Sequence, residues 1–149
     1  MTLLPRLLVC LLLLAAPFAT VVAQEKAGAD KIVVQVDEDD AKAMNLALNN
    51  VQNIIDHYKE KGDAAEIEVV TFGPGLHMLR QDTSPVKERI STIATANPQV
   101  HFNACNNTLL NMTRQEGHAP ALVKEARMVP SGVVRIIELQ KQGYIYIKP

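Results

Sequence analysis

The chain has 149 residues, and its 15 lysines and arginines stand against 16 aspartates and glutamates, giving a net charge of −1 at neutral pH. So even a balance lacks the basic field that nucleic-acid binding uses, and no nucleic-acid partner is expected. The 48% hydrophobic content owes much to a single amino-terminal run, and there are two cysteines, Cys10 and Cys105.

Residues 1–23 place Arg6 ahead of an apolar run from Leu7 to Ala16, followed by Pro17 and the small-residue end Val21-Val22-Ala23. That order predicts a secretory signal cut before Gln24, with an uncleaved anchor as the lesser alternative. The run is shorter than the roughly 20 apolar residues of a spanning helix, and no second such stretch follows, so no stable membrane span is expected after its removal. The product is then exported, to the periplasm in a bacterium and outside the cell otherwise. Residues 24–30 read as a flexible leader and 31–149 as one domain of ordinary size. Cys105 would be the sole thiol of the mature chain, with no intrachain partner in an oxidising compartment.

The domain opens with KIVVQV (31–36), a β-branched run that predicts a buried strand. Acidic residues 37–40 follow; clustered carboxylates suit a hard cation, but at this place they serve better as caps of a helix start. That helix runs to about Lys61, with Met44, Leu48, Val51, Ile55 and Tyr58 on one face, His57 at its boundary and Gly62 as its stop. EIEVVTFG (66–73) predicts the second strand, ending in the turn Gly73-Pro74-Gly75 and a short apolar segment, 76–79. Ser84-Pro85 is expected to open a helix carrying Val86, Ile90 and Ile93, ended by Asn97-Pro98. A third strand (99–105), a helix (106–116) with Leu109, Leu110 and Met112, a loop (117–124) and a short fourth strand (125–129) come next. Ser131 is expected to cap a helix with a broad apolar face of Val133, Val134, Ile136, Ile137 and Leu139. Gly143 closes that helix, and 144–148 form the last strand. Strands alternating with helices predict an α/β fold with a five-stranded parallel sheet covered on both faces, a three-layer α/β/α sandwich.

In such a sheet, ligands gather at the carboxyl ends of the strands. Three loops should meet there: Gly73-Pro74-Gly75 with His77, then Cys105-Asn106-Asn107, then Val129-Pro130-Ser131-Gly132. The expected binding groups are Gly73, Gly75, Asn106, Asn107, Ser131 and Gly132, and Cys105 is the candidate catalytic residue. Its sulfur would lie at the start of the following helix, whose N–H groups and dipole favour a thiolate; burial would oppose ionisation. The competing reading makes Cys105 a small buried hydrophobe. His77 is the candidate proton donor or acceptor if its loop lies beside that of Cys105, and a solvated loop histidine otherwise. His101 is expected to pack on the sheet, while His118 sits in the 117–124 loop. No tight His, Cys or carboxylate spacing recommends a metal, and no cofactor is expected. Asn106-Asn107-Thr108 and Asn111-Met112-Thr113 match the N-glycosylation pattern, which matters only in a eukaryotic secretory route.

Five segments in order, NLALNNVQNII (45–55), EVVTFGPGLHML (68–79), HFNACNNTL (101–109), MVPSGVVRI (128–136) and QGYIYIKP (142–149), resemble the DsrE/DsrF-like family of small α/β proteins. The resemblance implies a five-stranded parallel sheet between helices and homo-oligomers of two, three or six subunits. It also implies a chemistry, because some members carry sulfur as a persulfide on a cysteine after the third strand, the place Cys105 holds here. The Asn-Asn-Thr that follows agrees better with relatives of unknown function than with those carriers, which work in the cytoplasm with sister subunits. Two readings follow: a thiol-based sulfur carrier or sulfurtransferase-like protein with a protein donor or acceptor, or a non-catalytic oligomeric binding module in which Cys105 is structural.

Overall fold

A computed structural model describes residues 29–149; the expected signal and most of the expected leader lie outside the described residues. Five strands, β1 (Lys31–Val36), β2 (Glu66–Thr71), β3 (Val100–Cys105), β4 (Ala126–Val129) and β5 (Ile145–Ile147), form one parallel sheet in the order β4-β3-β2-β1-β5. Helices α1 (Ala41–Glu60), α2 (Lys87–Ala96), α3 (Asn106–Glu116) and α4 (Gly132–Lys141) connect them, with a 3-10 helix over Gly73–Leu79. The expected α/β three-layer sandwich is what the chain adopts.

The strand order explains why the two outer layers are unequal. From β1 to β4 each connection steps in one direction, and right-handed crossovers therefore put α1, α2 and α3 on one face. The connection from β4 to β5 runs back to the far edge, so α4 crosses the other face alone. Period-two alternation sorts the side chains accordingly. Ile32, Val34, Val36, Ile67, Val69, Phe102 and Ala104 pack against Met44, Leu48, Val51 and Ile90 in the larger core. Val33 and Val70 meet Ile136, Leu139 and Tyr144 in the smaller one.

Several boundaries differ from expectation for local reasons. The second strand stops at Thr71, because Gly73 takes φ +53° and the chain turns into a 3-10 helix where a loop and apolar segment were expected. Helix α2 starts at Lys87 with Val86 at the N-cap position, so Pro85 is not its first residue. The Ser84 hydroxyl instead donates to the Met78 carbonyl at 2.6 Å and accepts the Val86 N–H at 3.3 Å, tying α2 to the 3-10 helix. At α1 the acidic start behaves as read: the Asp40 carboxylate accepts the Lys42 N–H at 2.7 Å. Gly62, at φ +70°, lies just beyond its end.

Gly75 is a packing residue. A Cβ there would lie 2.3 Å from the Val36 carbonyl oxygen, inside backbone that cannot yield, so only glycine lets the 3-10 helix press on the end of β1. This close approach holds the 3-10 helix that carries Gly73 against the end of β1.

Candidate functional site

Cys105 ends β3 and occupies the N-cap position of α3, with φ −70° and ψ 115°. Its side chain is 3% exposed. The sulfur is nevertheless not lodged in an aliphatic core. It is absent from both apolar clusters and is surrounded by donors: the Thr108 hydroxyl and the backbone N–H groups of Gly132, Thr108 and Asn107. Two helix starts thus meet at one atom, α3 through Asn107 and Thr108, and α4 through Gly132.

The donors follow from local sequence. Thr108 is the third residue of α3, the position from which a side chain reaches back to the N-cap. Its Oγ1 accepts the Gly73 N–H at 2.9 Å, which leaves the hydroxyl proton free to point at the sulfur. The Asn107 N–H also donates to the Pro130 carbonyl at 3.3 Å, stitching the start of α3 to the loop that leads into α4. Gly132 sits beneath Phe72, and a Cβ on it would come within 2.8 Å of the Phe72 Cβ; glycine is what lets α4 begin this close to β2.

Opposed effects act on the thiol. Burial pushes the Cys105 pKa up, but the Thr108 hydroxyl and the N–H groups of Gly132, Thr108 and Asn107 together outweigh it and leave the value below that of an ordinary cysteine. None of these donors closes to a complete capping hydrogen bond on the sulfur. A thiolate is the better acceptor for such donors.

An ion pair between buried Glu68 and half-buried Arg135 steadies α4 over the sheet. Glu68 is 4% exposed, accepts Arg135 Nη2 at 2.8 Å, and takes a second bond from the Asn103 amide. Arg135 lies in the first turn of α4, so this link from β2 holds the helix start that presents Gly132 to Cys105. Sequence reasoning passed over Thr108, Glu68 and Arg135. Thr108 had a signal, its place three residues after the junction cysteine; the other two needed the register that sets Val33 beside Glu68 beneath α4.

The remaining expected site residues divide. Gly73 and Gly132 join the cysteine environment, one through Thr108 and one directly. Asn107 takes part through its backbone while its side chain is exposed, and the Asn106 side chain is half-buried. Ser131 occupies the N-cap position of α4 but makes no side-chain capping bond, contrary to expectation. His77 does not meet Cys105. Its Nδ1 is bonded to the Asp39 carboxylate and its Nε2 lies 3.1 Å from the Thr83 carbonyl oxygen, so both ring nitrogens are committed away from the thiol. His118 is likewise remote, 71% exposed at the far end of α3.

Two adjoining cavities open between α3 and the 3-10 helix, and Cys105 lines neither of them. One of about 280 Å³ is lined by Gly73, Pro74, Thr108 and Asn111, the other of about 350 Å³ by Asp39, His77, Arg80 and Glu116, and both share Met112 and Gln115. Thr108 therefore faces the sulfur on one side and the groove on the other.

The fold and site define a three-layer α/β protein with a buried, donor-ringed cysteine at the end of its third strand. No family model matches the chain, and no curated protein matches it. Among solved structures it is similar to MTH1491 from Methanobacterium thermoautotrophicum, a protein of unknown function, at 32% identity with a TM-score of 0.68; the match covers 80% of this chain and 99% of that one. The chain belongs to the same family as that protein.

If Thr108 helps to hold the thiolate, Thr108→Val will move the midpoint of the pH profile for Cys105 alkylation upward, while Thr108→Ser will keep it near the parental value. Iodoacetamide rates followed by intact mass from pH 5 to 10 give both profiles. Coincident midpoints for the valine and serine variants would remove the hydroxyl from the account.

Proposed function

We propose that the protein handles sulfur through Cys105, as a thiol-based carrier or sulfurtransferase-like protein of the DsrE/DsrF-like kind. The observation that carries this reading is the place of Cys105, at the end of β3 and at the N-cap position of α3 beside the start of α4, where nearby donors lower the thiol pKa against its burial. The resemblance of the 101–109 segment adds the chemistry. In the proposed step the Cys105 thiolate attacks the outer sulfur of a persulfide R–S–SH. The donor S–S bond breaks as the new one forms, the proton stays on the transferred sulfur, and R–S⁻ departs. Nothing is oxidised or reduced overall, and the leaving charge replaces the one consumed. Delivery of that sulfur to an acceptor protein is the reverse exchange. Export of the protein, expected from residues 1–23, would set this exchange outside the reducing cytosol, where a bound persulfide is open to further oxidation. Shelter of the sulfur at 3% exposure suits such a setting.

Incubation of the protein beginning at Gln24 with a low-molecular-weight persulfide is expected to add one sulfur to Cys105, seen as a mass increase that dithiothreitol reverses. Equal loading of Cys105→Ser, or none on the parent, would leave the binding-module reading instead.

A second copy of the chain is the proposed partner. On α4, Val133, Val134 and Ile137 are 53%, 47% and 47% exposed, and Ile145 and Tyr146 of the edge strand β5 are also open. Grouped apolar exposure on the thinner outer layer marks a surface suited to association. Ile137→Glu is expected to lower the oligomeric state in sedimentation while leaving the circular dichroism unchanged. A parental protein already monomeric at tens of micromolar would refute this.

A further inference from the structure

A cavity of about 300 Å³ opens between the start of α2 and the segment that enters β4, and no residue of the three loops around the thiol lines it. Glu125, the residue before β4, forms part of its wall. The Glu125 side chain is only 10% exposed, and among the described residues none donates a hydrogen bond to its buried Oε1. A carboxylate oxygen withdrawn from water in this way lacks the donor that its charge calls for.

Two lysines share the lining, and neither supplies that donor. Lys87 Nζ is bonded to the Gln81 carbonyl at 3.1 Å. Lys124 Nζ stands 3.9 Å from Glu125 Oε1, beyond hydrogen-bond reach, on a side chain that is 84% exposed. An acceptor without a donor thus sits beside a cation, at a separation close to the short span between the ammonium and the carboxylate of an α-amino acid. We infer that this cavity binds a small α-amino acid, its ammonium on Glu125 and its carboxylate on Lys124, with buried Val123 as the apolar wall. The last torsion of a glutamate side chain is broad, so the carboxylate turns Oε1 to the ligand without moving the backbone. A simple amine would satisfy Glu125 but face both lysines. A simple carboxylate would satisfy Lys124 but leave Oε1 bare and meet Glu88 as well. The zwitterion gives each charged group a charged, hydrogen-bonding partner.

The protein beginning at Gln24, labelled with nitrogen-15, is titrated with L-alanine and separately with ethylamine and propanoate, each of which is alanine lacking one charged group. L-Alanine is expected to give saturable shifts at the backbone amides of residues 87–91 and 123–125, with either half binding about tenfold more weakly. Glu125→Gln keeps the side-chain shape, and Lys124→Met alters an exposed position; each is expected to weaken L-alanine binding by about tenfold with the rest of the spectrum unchanged. Should the glutamine variant unfold, Lys124→Met alone decides. No saturable shift with L-alanine, binding of ethylamine or propanoate as tight as that of alanine, or parental affinity in either folded variant would each overturn the inference.

Discussion

The structure around the thiol depends on one arrangement: two helices begin at the same sulfur atom. An isolated helix start offers an anion partial charge and free N–H groups. Here α3 and α4 leave neighbouring strands at the sheet rim, and the Asn107–Pro130 bond clasps their starts together. Cys105 stands where an aspartate or serine commonly sits at a helix N-cap. A thiol serves that position poorly and a thiolate serves it well, so the architecture itself favours the ionised form.

Packing around this point is arranged to keep it. Glycine at 132 allows α4 to start against Phe72, and glycine at 75 allows the 3-10 helix to rest on β1, bringing the Gly73 N–H to Thr108. Glu68 and Arg135 tie β2 to the first turn of α4 beneath the sheet. Glu68 is the buried partner, so removing Arg135 would leave its charge uncompensated, which makes the link a constraint on helix position even where its net stabilisation is small. These residues act on the thiol through the elements they place.

The legible part of the sequence was periodic. Alternating strands and amphipathic helices disclosed the sheet, its five strands and the rim on which Gly73, Cys105 and Gly132 meet. Punctuation was less reliable. Ser84-Pro85 resembles a helix start, but the Ser84 hydroxyl finds a better partner in the Met78 carbonyl, and α2 begins further on. Ser131 resembles a capping residue, yet makes no cap bond at the N-cap position whose neighbour Gly132 faces the thiol. His77 shares a segment with Gly73, but the 3-10 helix turns it toward Asp39. Side-chain direction in a short tight helix is a tertiary matter, and residue spacing alone does not carry it.

The central claim is that Cys105 is ionised more readily than an ordinary cysteine despite its burial. Carbon-13 labelling of the cysteine Cβ, with its chemical shift followed against pH in the folded protein, reads that ionisation directly. The account predicts a single titration with a midpoint below that of the same thiol in the urea-unfolded chain. A folded-state midpoint at or above the unfolded one would show that desolvation outweighs the gathered donors, and would leave Cys105 a packing residue.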